Sequence, residues 1–260
     1  IAPRSLAVPG GLSLDFYPPA SRPDGRPAPC VVVIHGGGWD SGDCRQLPKV
    51  NHWLAQRGYA VAALSYRLAP GALWPAQRDD VLAALAFLKS HAGELGLDPA
   101  SLVLLGRSAG GQIALCVAST AGEPAIRGVI GLYAPTDLIF GYANTHENDM
   151  LKSPALMRQF LGGTPESARA NYESASAVFQ ATDHSPPTLL LHGTLDALAW
   201  YRHSERLDAR LAELRVPRVY VALPWATHAF DFNLHGPGGQ LTTFALEAFL
   251  ARVTSVSPIR

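Results

Sequence analysis

Short apolar runs alternate along the chain with stretches in which apolar residues return every three to four positions. The runs are Val31–His35, Ala60–Tyr66, Leu102–Gly106, Gly128–Tyr133, Thr188–His192 and Arg218–Leu223. Each is short, rich in leucine and β-branched residues and bounded by turn residues, the pattern of strands buried on both faces. An earlier strand is predicted over Leu12–Tyr17, within a segment rich in Pro and Gly. Helices are predicted at about Arg45–Arg57, Arg78–His91, Ala109–Thr120, Trp200–Leu214 and Leu241–Val253. In the second of these, Val81, Leu82, Leu85 and Leu88 repeat at helical spacing, and Asp79 and Asp80 place negative charge at the helix start. Strand and helix in alternation predict an α/β fold: a mostly parallel central sheet with helices on both faces, and a site at the carboxyl ends of the strands.

One connection breaks this rhythm. Between Asp137 and Pro187 there is a helical piece near Ala155–Leu161 but no strand. Connections of that length are usually functional. A partial lid is therefore expected at about 137–187, on a single catalytic domain covering 1–260. No internal repeat or second domain is visible.

Composition narrows the function classes. Of 260 residues, 48% are hydrophobic and 16% charged, in keeping with one globular domain. Lys plus Arg and Asp plus Glu each number 21, so charge gives no reason to expect a nucleic-acid partner. No apolar run approaches the roughly 18 residues of a membrane span. The sequence opens on Ile1, which leaves two locations open: a cytoplasmic soluble domain, or a catalytic domain whose N-terminal anchor or signal lies outside this chain. The three cysteines, Cys30, Cys44 and Cys116, show neither C-x-x-C pairing nor zinc-like His spacing, so no metal and no other cofactor is expected. Cys116 falls in an apolar helix pattern and reads as core. A Cys30–Cys44 disulfide stays open beside the favoured reading of free thiols.

The chemistry is carried by two glycine-rich turns. Gly106-Arg107-Ser108-Ala109-Gly110 follows one strand candidate directly and opens into a helix. That is the context of a nucleophile elbow, in which glycines permit a tight turn that lifts the serine hydroxyl off the sheet. His35-Gly36-Gly37-Gly38-Trp39 ends another strand candidate. Consecutive glycines let backbone N–H groups crowd toward a developing oxyanion, the second requirement of acyl transfer.

These motifs, about 70 residues apart, together with Tyr66-Arg67-Leu68-Ala69-Pro70 after the run at Ala60, resemble the hormone-sensitive-lipase-like carboxylesterases of the α/β-hydrolase fold. The resemblance runs from about residue 12 to the C-terminus. It implies an oxyanion hole of the amides of Gly37, Gly38 and Ala109. A serine nucleophile also needs a base and an orienting carboxylate, in the chain order Ser, acid, His. His228 stands in a loop after the strand Arg218–Leu223, and with Phe230 makes the family's H-x-F. His235 is its reserve, whereas His203 falls within a helix, facing solvent or a neighbouring helix. Asp196 follows the strand Thr188–His192 and matches the family's H-G-x-x-D; Asp137, one strand earlier, competes with it. His35 and His192 precede glycines and are expected to brace their loops.

The expected activity is hydrolysis of carboxylic esters through an acyl-enzyme on Ser108, with His228 as base and Asp196 orienting it. Pocket walls are expected from Trp39, Trp200 and Phe230, with Trp74, Phe140, Tyr142 and Leu198 as further candidates; such crowding would favour short acyl groups. The expected partner is a small-molecule ester, and a homodimer is left open. Two departures stand out. Only 34 residues precede His35, where lipase-like relatives often carry a helical cap, so a relative's acyl preference does not transfer. The segment His228–Gln240 resembles membrane-anchored bacterial relatives. Two rivals share the fold: an amide-directed hydrolase (arylformamidase or exopeptidase-like) on the same triad, and a non-catalytic binding protein like the gibberellin receptors, which lack a working histidine.

Overall fold

Every residue of the strand Ala28–Ile34 is buried, and alternate side chains enter opposite layers. Val32 and Ile34 join one apolar cluster, Val31 and Val33 the other. That two-sided burial demands helices on both faces of the sheet. The computed structural model, which describes residues 2–20 and 25–254, has them there.

Among the described residues eight strands form one sheet: β1 (Arg4–Val8), β2 (Leu12–Tyr17), β3 (Ala28–Ile34), β4 (Ala60–Leu64), β5 (Leu97–Arg107), β6 (Ile126–Leu132), β7 (Thr188–Gly193) and β8 (Arg218–Leu223). Their order is β1-β2-β4-β3-β5-β6-β7-β8. Strands β1 and β2 run antiparallel, as do β2 and β4, while all pairs from β4 to β8 are parallel. Helices Pro48–Gln56 and Pro237–Val253 cover one face through Val50, Leu54, Leu246 and Leu250. Helices Ala76–Ser90, Ala109–Thr120 and Arg202–Glu213 cover the other, burying Val81, Ile113 and Leu207 among their residues.

Register brings the site together. Ile34 of β3 pairs with Gly106 of β5, and Arg107 pairs with Leu132 of β6. Leu132 in turn pairs with Leu191 of β7, and Gly193 with Leu223 of β8. Neighbouring strands therefore end nearly level, and the loops that follow them share one edge of the sheet.

The connection between β6 and β7 contains four short helices, Leu138–Ala143, Ser153–Leu161, Arg169–Ser174 and Ala177–Gln180, rather than the single piece expected. It is rooted in the core, with Phe160, Leu161 and Tyr172 fully buried. Trp74, a candidate pocket wall, belongs to this packing: its ring meets Phe160 edge-on at 5.8 Å, and Trp39 stacks on the same ring at 4.5 Å. The last helix starts at Pro237, four residues before the expected Leu241, because proline suits a first helical turn where its missing N–H is no loss. All three cysteines are buried free thiols. Burial pushes Cys30 and Cys116 up to about 12. Among the described residues no helix is long and apolar enough to cross a membrane.

Candidate active site

Ser108 lies between the end of β5 and the helix Ala109–Thr120. Its backbone has φ 51° and ψ −121°, a conformation that costs a non-glycine residue about 1–3 kcal/mol and persists only where its surroundings impose it. Two hydrogen bonds hold it: its N–H donates to the Leu132 carbonyl at 2.9 Å, and its own carbonyl accepts from the Gln112 N–H at 3.1 Å. The flanking glycines are sterically required. A Cβ at Gly106 would lie 2.1 Å from the Gly110 carbonyl oxygen, and one at Gly110 would lie 2.2 Å from the His35 carbonyl oxygen. This close approach seats the helix start against the end of β3.

Three distant side chains meet at this corner. His228, on the loop after β8, places Nε2 at 3.1 Å from Ser108 Oγ and Nδ1 at 2.7 Å from Asp196 Oδ2. Asp196 is on the turn after β7, its side chain fully buried. Its Oδ1 accepts the N–H groups of Leu198 and Ala199 at 2.8 and 2.9 Å. His192 braces the same turn. Its Nε2 faces two acceptors, the Ala199 carbonyl at 2.8 Å and Asp196 Oδ2 at 3.4 Å, so the proton sits there and Nδ1 accepts from the Ser204 hydroxyl at 2.7 Å. Burial alone would raise the Asp196 carboxyl. Hydrogen bonds from His192, His228 and the Ala199 amide outweigh it and hold the group well below the usual carboxylate range. A carboxylate fixed in this way takes Nδ1–H of His228, which turns the Nε2 lone pair toward Ser108.

The glycine-rich turn after β3 lies alongside. Gly37 has φ 116°, open to glycine, and its carbonyl accepts from the N–H groups of Asp40 and Ser41 and from the Ser41 hydroxyl at 2.8 Å. Gly36 N–H donates to Gln46 Oε1 at 3.0 Å. The amides of Gly37, Gly38 and Ala109 donate to nothing within the described residues, and all three residues line the same cavity as Ser108 and His228.

A second network, absent from the sequence reading, ties these loops together. Arg107, immediately before the serine, donates Nε–H to Asp231 Oδ2 at 2.6 Å, and the Tyr133 hydroxyl donates to Asp231 Oδ1 at 2.6 Å. The Tyr133 ring lies 4.5 Å from the His228 ring. Burial, and then the Asp231 carboxylate, push the Tyr133 phenol well above its ordinary range, so it remains a donor. Strands β5 and β6 and the histidine loop thus converge on one carboxylate. The available signal was Asp231 standing three residues after His228 and Arg107 occupying the variable position of the elbow.

The competing residues lie elsewhere. Asp137 caps the helix Leu138–Ala143 by accepting the Phe140 N–H and pairs with Arg206 at 2.8 Å. His235 is exposed. His203, expected to face solvent or a neighbouring helix, is buried against Phe140 and Gly141 of the helix Leu138–Ala143 and also lines the cavity. That cavity measures about 470 Å³, within the range of small-molecule sites. Of the three expected pocket aromatics, Trp39 borders it, with its Nε1–H donating to Gln112 Oε1 at 2.8 Å. Trp200 and Phe230 do not border it. Trp200 is half exposed and stacks on Phe140 from outside, and Phe230 packs edge-on against Tyr133. The wall comes instead from Leu138, Gly141, Leu156, Met157 and Leu198, with Phe232 at the exposed rim. Among the described residues no group of three or more His, Cys, Asp or Glu could hold a metal ion.

Known proteins share this arrangement of chain. The bacterial heroin esterase superposes with a TM-score of 0.83 at 24% identity, over 97% of this chain and 84% of that one. The Est2 esterase of Thermogutta terrifontis, solved with butyrate bound, gives 0.79 at 21% identity, over 100% and 97%. At such identities the likeness establishes the α/β-hydrolase fold. In sequence, the chain is 30% identical to "Probable carboxylic ester hydrolase LipM" of Mycobacterium tuberculosis over 87% of its own length and 54% of the relative's. It is 27% identical to the Esterase LipC of the same organism over 88% and 59%. The chain thus spans a little over half the length of these curated relatives. The BD-FAE family model matches residues 14–211, a span that holds the glycine turn, the elbow and Asp196, and on that match the chain belongs to the BD-FAE family.

Proposed function

We propose that this chain hydrolyses carboxylic esters through an acyl-enzyme on Ser108, with His228 carrying the proton and Asp196 orienting it. The observation that carries this reading is the unbroken hydrogen-bonded chain from Ser108 Oγ through His228 to Asp196, at 3.1 and 2.7 Å, opening on unpaired backbone amides. The names of the relatives, carboxylic ester hydrolase and esterase, support it.

In this reading His228 Nε2 takes the hydroxyl proton as Ser108 Oγ attacks the ester carbonyl carbon. The resulting oxyanion is received by the amides of Gly37, Gly38 and Ala109, each such donor being worth on the order of 3 kcal/mol. The imidazolium, stabilised by the Asp196 carboxylate, protonates the departing alkoxide. A water then repeats the sequence on the acyl-enzyme, releasing the acid and restoring Ser108. No cofactor enters any step. The substrate is a small-molecule ester, and Trp39 bordering the cavity beside the serine supports a short acyl group. The segment 137–187 acts as a partial lid on a single catalytic domain, since its residues Leu138, Gly141, Leu156 and Met157 form cavity wall.

The test uses p-nitrophenyl esters from acetate to palmitate together with a fluorophosphonate label. Hydrolysis of the short esters, an adduct mapped by mass spectrometry to Ser108, and loss of both in Ser108→Ala are expected. Turnover that survives Ser108→Ala, or an adduct on another serine, would reject the assignment. Faster hydrolysis of palmitate than of butyrate would reject the short-chain preference.

A further inference from the structure

His203 has no part in the proposed triad, yet it is 4% exposed and lines the same cavity. Its ring is fixed from several sides. Nδ1 accepts the Asp137 N–H at 3.3 Å, and the Phe140 ring meets it edge-on at 5.3 Å. The Cε1–Nε2 edge faces Gly141, where a Cβ would lie 3.2 and 3.3 Å from those two atoms. Burial above all pushes its pKa down to about 3. The imidazole is therefore neutral. With Nδ1 occupied as an acceptor, its one proton must sit on Nε2.

Nε2 meets no hydrogen-bond partner among the described residues, and it is also not among the fully enclosed atoms left without one. Nε2 is therefore not fully enclosed, and His203 is a wall residue of the cavity. The cavity lining that His203 shares includes the apolar residues Leu138, Gly141, Met157 and Leu198. The Thr145 hydroxyl, also in the lining, donates to the Gly141 carbonyl at 2.9 Å. A fixed, neutral donor in an apolar wall discriminates strongly, because a ligand without an acceptor leaves it unpaired.

We propose that His203 is a specificity-determining residue whose Nε2–H donates a hydrogen bond to a keto or ether oxygen on the substrate chain that lies against this wall. The inference rests on the esterase reading above and deepens it: the preferred ester carries a second acceptor oxygen beyond the scissile carbonyl.

The test compares matched pairs of esters in which a single methylene is replaced by a keto group or an ether oxygen. The replacement is scanned along the acyl chain of p-nitrophenyl esters and along the alcohol of alkyl acetates. In the wild-type protein at least one position is expected to raise kcat/KM about five- to tenfold over its methylene match, the scale of one neutral hydrogen bond. His203→Asn keeps an acceptor for the Asp137 N–H but cannot reach the cavity with a donor, and His203→Phe removes both. Each should bring that ratio below twofold. The ratio is internal to each variant, so a loss of folded fraction cancels. No advantage at any position, or an advantage that persists in His203→Asn, overturns the proposal. Failure of the esterase reading is distinguishable, because the unsubstituted p-nitrophenyl butyrate would then also go unhydrolysed by the wild-type protein.

Discussion

Removing the Asp231 carboxylate should unfasten the histidine loop from the nucleophile strand. Its side chain is fully buried and that of Arg107 is 3% exposed, so their 2.6 Å contact has little water to replace it. In Asp231→Ala the guanidinium would lose its partner in a place where one of its nitrogens already has none. The Tyr133 hydroxyl would lose its acceptor as well. Breaking a buried pair from one side costs about 3–5 kcal/mol, and an orphaned hydroxyl about 1–3 kcal/mol. Both losses report on one disrupted cluster and overlap, so about 4 kcal/mol is expected. That is a large share of the roughly 5–15 kcal/mol that holds a domain folded. Replacing both ends, in Arg107→Met with Asp231→Leu, leaves no uncompensated charge and should recover most of the loss. Urea unfolding at low temperature measures all three proteins, and p-nitrophenyl butyrate turnover reports whether His228 keeps its place. A cost below about 1 kcal/mol in Asp231→Ala, or a double variant as unstable as the single, would refute a clamp made of a desolvated ion pair.

Two further outcomes follow from the same geometry. Asp196→Asn should leave the fold intact but offer His228 an amide in place of an anion, favouring the wrong tautomer; kcat for p-nitrophenyl butyrate should fall about 10⁴-fold, and a loss under tenfold would remove Asp196 from the proposed triad. His203 should make the protein acid-sensitive: the unfolded chain binds this proton near pH 6.5, the folded one only near pH 3, so stability is complete above that window and declines as pH falls through it, by up to ~1.4 kcal/mol per pH unit. His203→Asn should flatten that decline in urea titrations between pH 6.5 and 3.5, and an unchanged slope would show that the group titrates normally.

What could be read in advance follows from the range over which each signal acts. β3 and the core of β5 are visible because continuous apolar runs are local, and the elbow because its glycines are adjacent in sequence. β1 escaped notice: it is an edge strand whose exposed residues Arg4 and Ser5 give no apolar run. The helices Leu138–Ala143 and Arg169–Ser174 are too short for periodicity to show, and Asp137, weighed as an acid, turns out to cap the first of them. Trp200 stands close to Asp196 in sequence, which suggested a pocket wall. The helix that follows turns its ring outward onto Phe140, with Arg202 beside it. The Arg107–Asp231 pair joins positions 124 residues apart, and no local pattern announces such a contact.

The two halves of the site are held by different means, and this has a consequence for selectivity. Ser108, Asp196 and His228 leave the ends of β5, β7 and β8, whose parallel register keeps them level, and Arg107, Tyr133 and Asp231 lock the loops to one another. The β6–β7 connection adds Leu138, Gly141, Leu156 and Met157 to the cavity wall but none of the three proposed catalytic groups. Substitutions in that connection can therefore change which ester fits without moving the hydrogen-bonded chain. The join between the halves is His203, on the helix that follows Asp196, with Nδ1 tied to the start of the connection at Asp137 and the residue itself in the cavity wall. A donor placed at that junction is held by the rigid half and read by substrate in the variable half, which is where a fold that keeps one chemistry has room to choose among substrates.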